Sequence, residues 1–133
     1  SQAVSVTPFP SVELAARELI MEILEIPKER VRGDMSYVKG QPFHAWFGLV
    51  PGGSTNETQG EWVLDIDIFD DDYTDAMDQA LKLEAGLIGS RKVTSVMRID
   101  NVYQNEGPAE RPTADDKVFR IGATYVFTAR RSG

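Results

Sequence analysis

A chain of 133 residues, at about 100 to 200 residues per domain, has room for one domain with a packed core. Its 41% hydrophobic and 26% charged residues are the balance of an ordinary globular fold rather than a disordered or collagen-like chain. Fourteen Lys and Arg against 21 Asp and Glu leave a net charge of −7, which removes any general attraction for nucleic acid or an anionic membrane. With no cysteine there is no disulfide scaffold, thiol nucleophile or thiolate zinc site, and with His44 as the single histidine no site can use two imidazoles.

No stretch approaches the roughly 20 apolar residues of a membrane span, and Ser1 to Val6 lacks the basic start and apolar run of a signal peptide. The expectation is a protein that works in the cytoplasm where it is made, without a membrane partner. Asn56-Glu57-Thr58 matches the glycosylation sequon and Arg32-Gly33-Asp34 the integrin tripeptide, but neither has a use in a cytoplasmic chain, and both read as polar loop.

From Ser11, the apolar residues Val12, Ala15, Ala16, Leu19, Ile20, Ile23 and Leu24 recur at three- and four-residue steps, with Glu13, Arg17, Glu18, Glu22 and Glu25 on the other side. This predicts an amphipathic helix from Ser11 to Glu25, opened by the Ser11 hydroxyl and closed by Pro27. Residues 1–10 read as an extended arm. Pro27 to Pro42 has little apolar content and two interrupting glycines, so it holds at most one short edge strand.

Phe43 to Val50 and Trp62 to Phe69 read as antiparallel strands, joined by a turn-forming stretch from Pro51 to Gly60 that predicts a long mobile hairpin loop. In the second strand Leu64, Ile66 and Ile68 alternate with Val63, Asp65 and Asp67, so one face is buried and the other carries two carboxylates. A second helix begins among Asp70, Asp71, Asp72 and Thr74, with a stripe through Tyr73, Ala76, Met77, Ala80, Leu81, Leu87 and Ile88 and a stop at Gly89. Two more strands follow, Thr94 to Gln104 and Lys117 to Arg130, separated by a loop at Asn105 to Pro112. In the last, Phe119, Ile121, Ala123, Tyr125, Phe127 and Ala129 share one face, opposite Arg120, Thr124, Thr128 and Arg130. Residues 131–133 are a tail.

The order is α-β-β-α-β-β. It predicts a single α+β domain over residues 1–133, with a mostly antiparallel sheet of four to five strands and two helices on one face.

Asp65, Asp67, Asp70, Asp71, Asp72 and Asp75 form the dense carboxylate cluster of the chain, and hard cations take oxygen ligands. The spacing argues against an EF-hand, which needs Gly at its sixth position and Glu at its twelfth; counted from Asp65 these are Asp70 and Ala76. Anions at a helix amino terminus, each stabilising by about 0.3 to 1 kcal/mol, are the simpler account. His44 lies beside Phe43 and Trp46 with no nucleophile in a strained turn to serve, and Gly52-Gly53-Ser54 fits neither phosphate-binding glycine motif. Trp62, Tyr103, Tyr125 and Phe127 are aromatics that suit core or interface anchors better than a ligand pocket. The residues by themselves give a non-enzymatic α+β domain with no catalytic, cofactor or metal residues.

Three segments, taken in order, resemble the tail terminator (tail completion) proteins of long, non-contractile-tailed phages. They are the helix opened by Phe9-Pro10-Ser11-Val12-Glu13, the strand Val63-Leu64-Asp65-Ile66-Asp67-Ile68-Phe69 running into Asp75-Ala76-Met77-Asp78-Gln79-Ala80-Leu81, and the closing strand Arg120-Ile121-Gly122-Ala123-Thr124-Tyr125-Val126-Phe127. The resemblance spans residues 9–130. It implies a structural virion protein forming a homohexameric ring on the last ring of the tail tube. Such a ring ends tube polymerisation and meets tail tube protein on one side and a head completion or neck protein on the other. DNA passes through without sequence-specific binding, which an acidic lumen would favour, and Asp65 and Asp67 are the candidate lumen-facing residues. The candidate interface residues are Gly52, Gly53 and Asn56 in the loop, with Arg98, Tyr103, Arg120, Tyr125 and Arg130 on the last two strands, whose edges are the expected subunit contacts. A neck or head-tail connector protein, a metal-dependent enzyme using the Asp65 to Asp75 cluster and a cytoplasmic binding module remain the alternatives.

Overall fold

The computed structural model describes residues 11–130 apart from residue 57, so the expected arm at 1–10 and tail at 131–133 lie outside the described residues. The first helix, α1 (Val12–Leu24), forms as its periodicity dictates. The Ser11 hydroxyl accepts from the Leu14 amide at 3.3 Å, and Glu25 ends the helix in a left-handed conformation with its N–H on the Met21 carbonyl. Val12, Ala15, Ala16, Leu19, Ile20 and Leu24 are buried. After a 3-10 turn at Lys28–Arg30 comes the two-residue strand β1 (Val31–Arg32), the short edge strand expected there.

Strands β2 (His44–Thr55) and β3 (Gln59–Asp70) pair antiparallel and reach much further than their apolar cores predict. The stretch expected to be a mobile loop is paired strand up to Thr55 and again from Gln59. The register shift between Val50 and Ser54 places Pro51, Gly52 and Gly53 in a bulge, where a residue without an N–H and residues without side chains do no harm to the ladder. Asn56 closes the hairpin, its Oδ1 accepting from the Thr58 amide at 2.9 Å and the Gln59 amide at 2.8 Å.

Helix α2 (Tyr73–Leu87) is capped by Asp72, whose carboxylate accepts from the Asp75 amide at 2.9 Å. Its buried stripe is Ala76, Ala80, Leu83 and Leu87, with Met77 packed beside it. The predicted stripe is corrected at Tyr73, Leu81 and Ile88, which are exposed. Gly86 lies where α2 meets α1: a Cβ there would stand 2.7 Å from Ile23 Cγ2, so glycine permits the close approach.

The chain then forms β4 (Gly89–Val93), β5 (Arg98–Arg111) and β6 (Phe119–Arg130). The six strands lie in the order β1-β2-β3-β6-β5-β4, antiparallel except for the β1–β2 pair. The α+β class, the single domain and the largely antiparallel sheet are as expected, and two short strands extend it to six. Gly89, expected to be only a helix stop, begins β4. Asn105 to Arg111, expected to be loop, continues β5 with register shifts on both sides of Glu106 that absorb Gly107 and Pro108.

The core lies between the helices and one sheet face. Leu64, Ile66 and Ile68 of β3 and Ile121, Ala123, Tyr125 and Phe127 of β6 meet Ile20, Leu24, Leu83 and Leu87 there. Burying each large aliphatic chain contributes roughly 1.5 to 3 kcal/mol. The alternate residues, among them Asp65, Asp67, Arg120, Gly122 and Thr124, are left on the other face.

Candidate functional site

The polar face of β3 and β6 gathers the charges that the alternation sets apart. Asp67 opposes Gly122 in the β3–β6 ladder and Trp46 in the β2–β3 ladder. Arg120 donates from Nε to Asp67 Oδ2 at 2.7 Å and places Nη2 2.6 Å from the same oxygen, while Arg111 Nη1 reaches Asp67 Oδ1 at 2.9 Å. Arg111 also lies 3.2 Å from Asp65 Oδ1, and the Thr124 hydroxyl donates to that oxygen at 2.6 Å. The Arg120 guanidinium lies over the Trp46 and Phe69 rings, 5.8 Å from each centroid.

Gly122 makes the cluster possible. A side chain there would occupy the space taken by Arg111, whose Cδ and Nε would each be 2.6 Å from a Cβ, and by the Asp67 carboxylate. Asp67 is fully buried, at 0% exposure. Burial pushes its carboxyl above the usual carboxylate range, against the opposing pull of Arg120 and Arg111.

The two guanidiniums balance Asp65 and Asp67, and Glu106 lies at the exposed rim with Oε2 3.9 Å from Arg111 Nη2. The expectation that Asp67 faces a lumen is therefore corrected: a side chain with no exposed surface, held by two arginines, presents no acid to a channel. Asp65 remains half-buried at the edge of the cluster, paired with Arg111.

The candidate interface residues do not converge. Tyr125 is in the core, at 1% exposure, with its hydroxyl donating to Glu84 Oε1 at 3.4 Å, so its assignment to an interface is corrected. Arg120 belongs to the Asp67 cluster. Tyr103 is exposed and donates to Glu61 Oε1 at 2.6 Å; Arg130 lies 3.3 Å from Asp100 Oδ2. Gly52 and Gly53 sit in the β2 bulge, Asn56 forms the hairpin turn, and Arg98 opens β5 at the surface. The two strands expected to offer edges are interior, since β6 lies between β3 and β5, and β5 between β6 and β4.

Nothing in these positions assembles a reaction centre. His44 is buried at the start of β2, with Nδ1 2.8 Å from the Pro42 carbonyl oxygen and its ring edge-on to Tyr37. Among the described residues no group of three or more His, Asp or Glu is placed to hold a metal ion, and no helix is long and apolar enough to cross a membrane. An open groove of about 870 Å³ runs past Ser54, Asn56, Glu61, Arg91 and Arg130, with Glu61 and Asp100 already taken by Tyr103 and Arg130. The Asp67 cluster escaped the sequence reading because its arginines lie 44 and 53 residues downstream. The sole local signal was a pair of acids on a strand face that needed cations.

No protein-family model matches this chain, and no curated protein matches it. Among solved structures it is similar to a chain of the virion of a native gene transfer agent particle, with a TM-score of 0.60 at 14% identity over 90% of each chain. At that identity, what the two share is the fold.

Proposed function

We infer that this chain is a structural component of a phage-like virion, acting as a tail terminator: a ring of six copies at the head-proximal end of the tail tube. The observation that carries the reading is the shared fold with a chain of a gene transfer agent virion, over 90% of each chain. It agrees with the ordered resemblance of three sequence segments to tail terminators, and with a polar face whose charges are spent on one another rather than on a substrate. A protein that works through surfaces can use open sheet edges, and among the described residues this one has two. Its partners in this reading are further copies of itself, tail tube protein and a head completion or neck protein, with DNA passing through unread.

The test is a particle preparation from cells lacking this protein. The reading predicts heads unjoined to tails and tail tubes of uncontrolled length. Tails of normal length that merely fail to join heads would favour a neck protein, and normal particles would overturn the reading.

A further inference from the structure

Among the described residues the sheet ends in two open edges. On one side, β1 covers β2 only at Ala45 and Trp46, so from Phe47 to Thr55 the outer edge of β2 has no strand neighbour among the described residues. On the other side, β4 pairs with β5 and has no second strand neighbour among the described residues. Both open stretches lie in the same half of the sheet. The row that starts at Thr55 runs through Gly60 and Ala129 and reaches the β4 edge at Arg91. Three antiparallel pairings separate β2 from β3, β3 from β6 and β6 from β5, and a fourth joins β5 to β4, so β2 and β4 run in the same direction. Each edge also leaves a large apolar side chain in water: Leu49 on β2 is 48% exposed and Val93 on β4 is 70% exposed.

We propose that β4 of one copy pairs in parallel with the open edge of β2 in the next, making one sheet continuous across subunits. The occupant of each edge is thus a second copy of this chain. Charge selects this pairing over the symmetric one. Arg91 stands at the middle of β4, so two β4 edges meeting antiparallel would set Arg91 against Arg91, whereas Phe47 to Thr55 contains no charged residue. Because the two surfaces differ, the contact is head-to-tail, and such contacts close into a ring when the rotation permits. The inference rests on the ring reading above and names the surfaces that build the ring.

The chain has no cysteine, so an introduced pair reports without background. Thr55 and Arg91 are exposed, and their replacement leaves the core untouched. Thr55→Cys combined with Arg91→Cys, oxidised in assembled particles, is expected to give a ladder of disulfide-linked multimers of this chain. Each single variant is expected to give none. As a second measurement, amides at 53–55 and 89–93 are expected to exchange at least tenfold more slowly in the assembled state than in the free subunit. Dimers from Arg91→Cys alone would overturn the proposal in favour of β4 against β4. Rings seen by reconstruction with neither cross-links nor added protection would overturn it while leaving the ring reading standing. Absence of any ring in the particles would remove both.

Discussion

Gly122 and Asp67 face each other across the β3–β6 ladder, and the missing side chain of the first is the space that the second shares with Arg111. Gly122→Ala is therefore expected to destabilise, although alanine is the better residue for an ordinary strand. Overpacking of this kind costs about 1 to 3 kcal/mol. Urea unfolding should show the midpoint fall with an unchanged slope, and a variant as stable as the parent would mean the cluster has room to spare.

Asp67→Ala removes the anion that holds two guanidiniums over the sheet. Breaking a buried pair from one side costs about 3 to 5 kcal/mol, and the partial exposure of Arg111 and Arg120 puts the expected loss near the lower value. Replacing Arg120 as well should cost little more, because its partner is already gone. A double-mutant cycle by chemical denaturation measures that coupling.

How much of this was visible in the sequence depended on whether the signal was local. The limits of α1 followed from Ser11 and Pro27, and the inward faces of β3 and β6 followed from strict alternation, Tyr125 included: its parity put it in the core, and only its aromatic character suggested an interface. Pro51-Gly52-Gly53 and Gly107-Pro108 were misread because the residues that form loops also form bulges, and only the partner strand's register distinguishes the two. β4 was missed because an edge strand of five residues with Arg91 and Lys92 carries no buried alternation. The Asp67 cluster joins residues brought together by the sheet order, which no local pattern encodes.

Alkaline stability should fall in a defined window. Burial, with the nearby charges of Asp70 and Asp71, pushes Tyr37 up to about 12, and burial beside Glu84 raises Tyr125 as well. An unfolded tyrosine titrates near about 10. Between those values the unfolded chain binds fewer protons than the folded one, so stability is intact below pH 10 and is lost as pH rises toward 12. Denaturation midpoints measured from pH 8 to 12 should follow that course, with a shallower decline for Tyr37→Phe. A flat profile would contradict the burial of these hydroxyls.

At acid pH the sensitive link is Glu18, which accepts from the Ser95 hydroxyl at 2.6 Å and the Ser95 amide at 2.8 Å and so ties α1 to the turn between β4 and β5. These hydrogen bonds hold its carboxyl below the usual glutamate range. Their contribution is present above the ordinary glutamate pKa and is lost as pH falls through the lowered one. The Ser95 amide resonance should shift with a midpoint below that of a free glutamate, and Glu18→Gln should abolish the shift.

The most direct measurement is a reconstruction of the intact particle with this chain located in it. The account predicts a closed ring of copies at the head-proximal end of the tail tube, its two sides meeting different proteins and its channel open to DNA. Finding the chain as an isolated subunit, in the capsid shell or outside the particle altogether would contradict it.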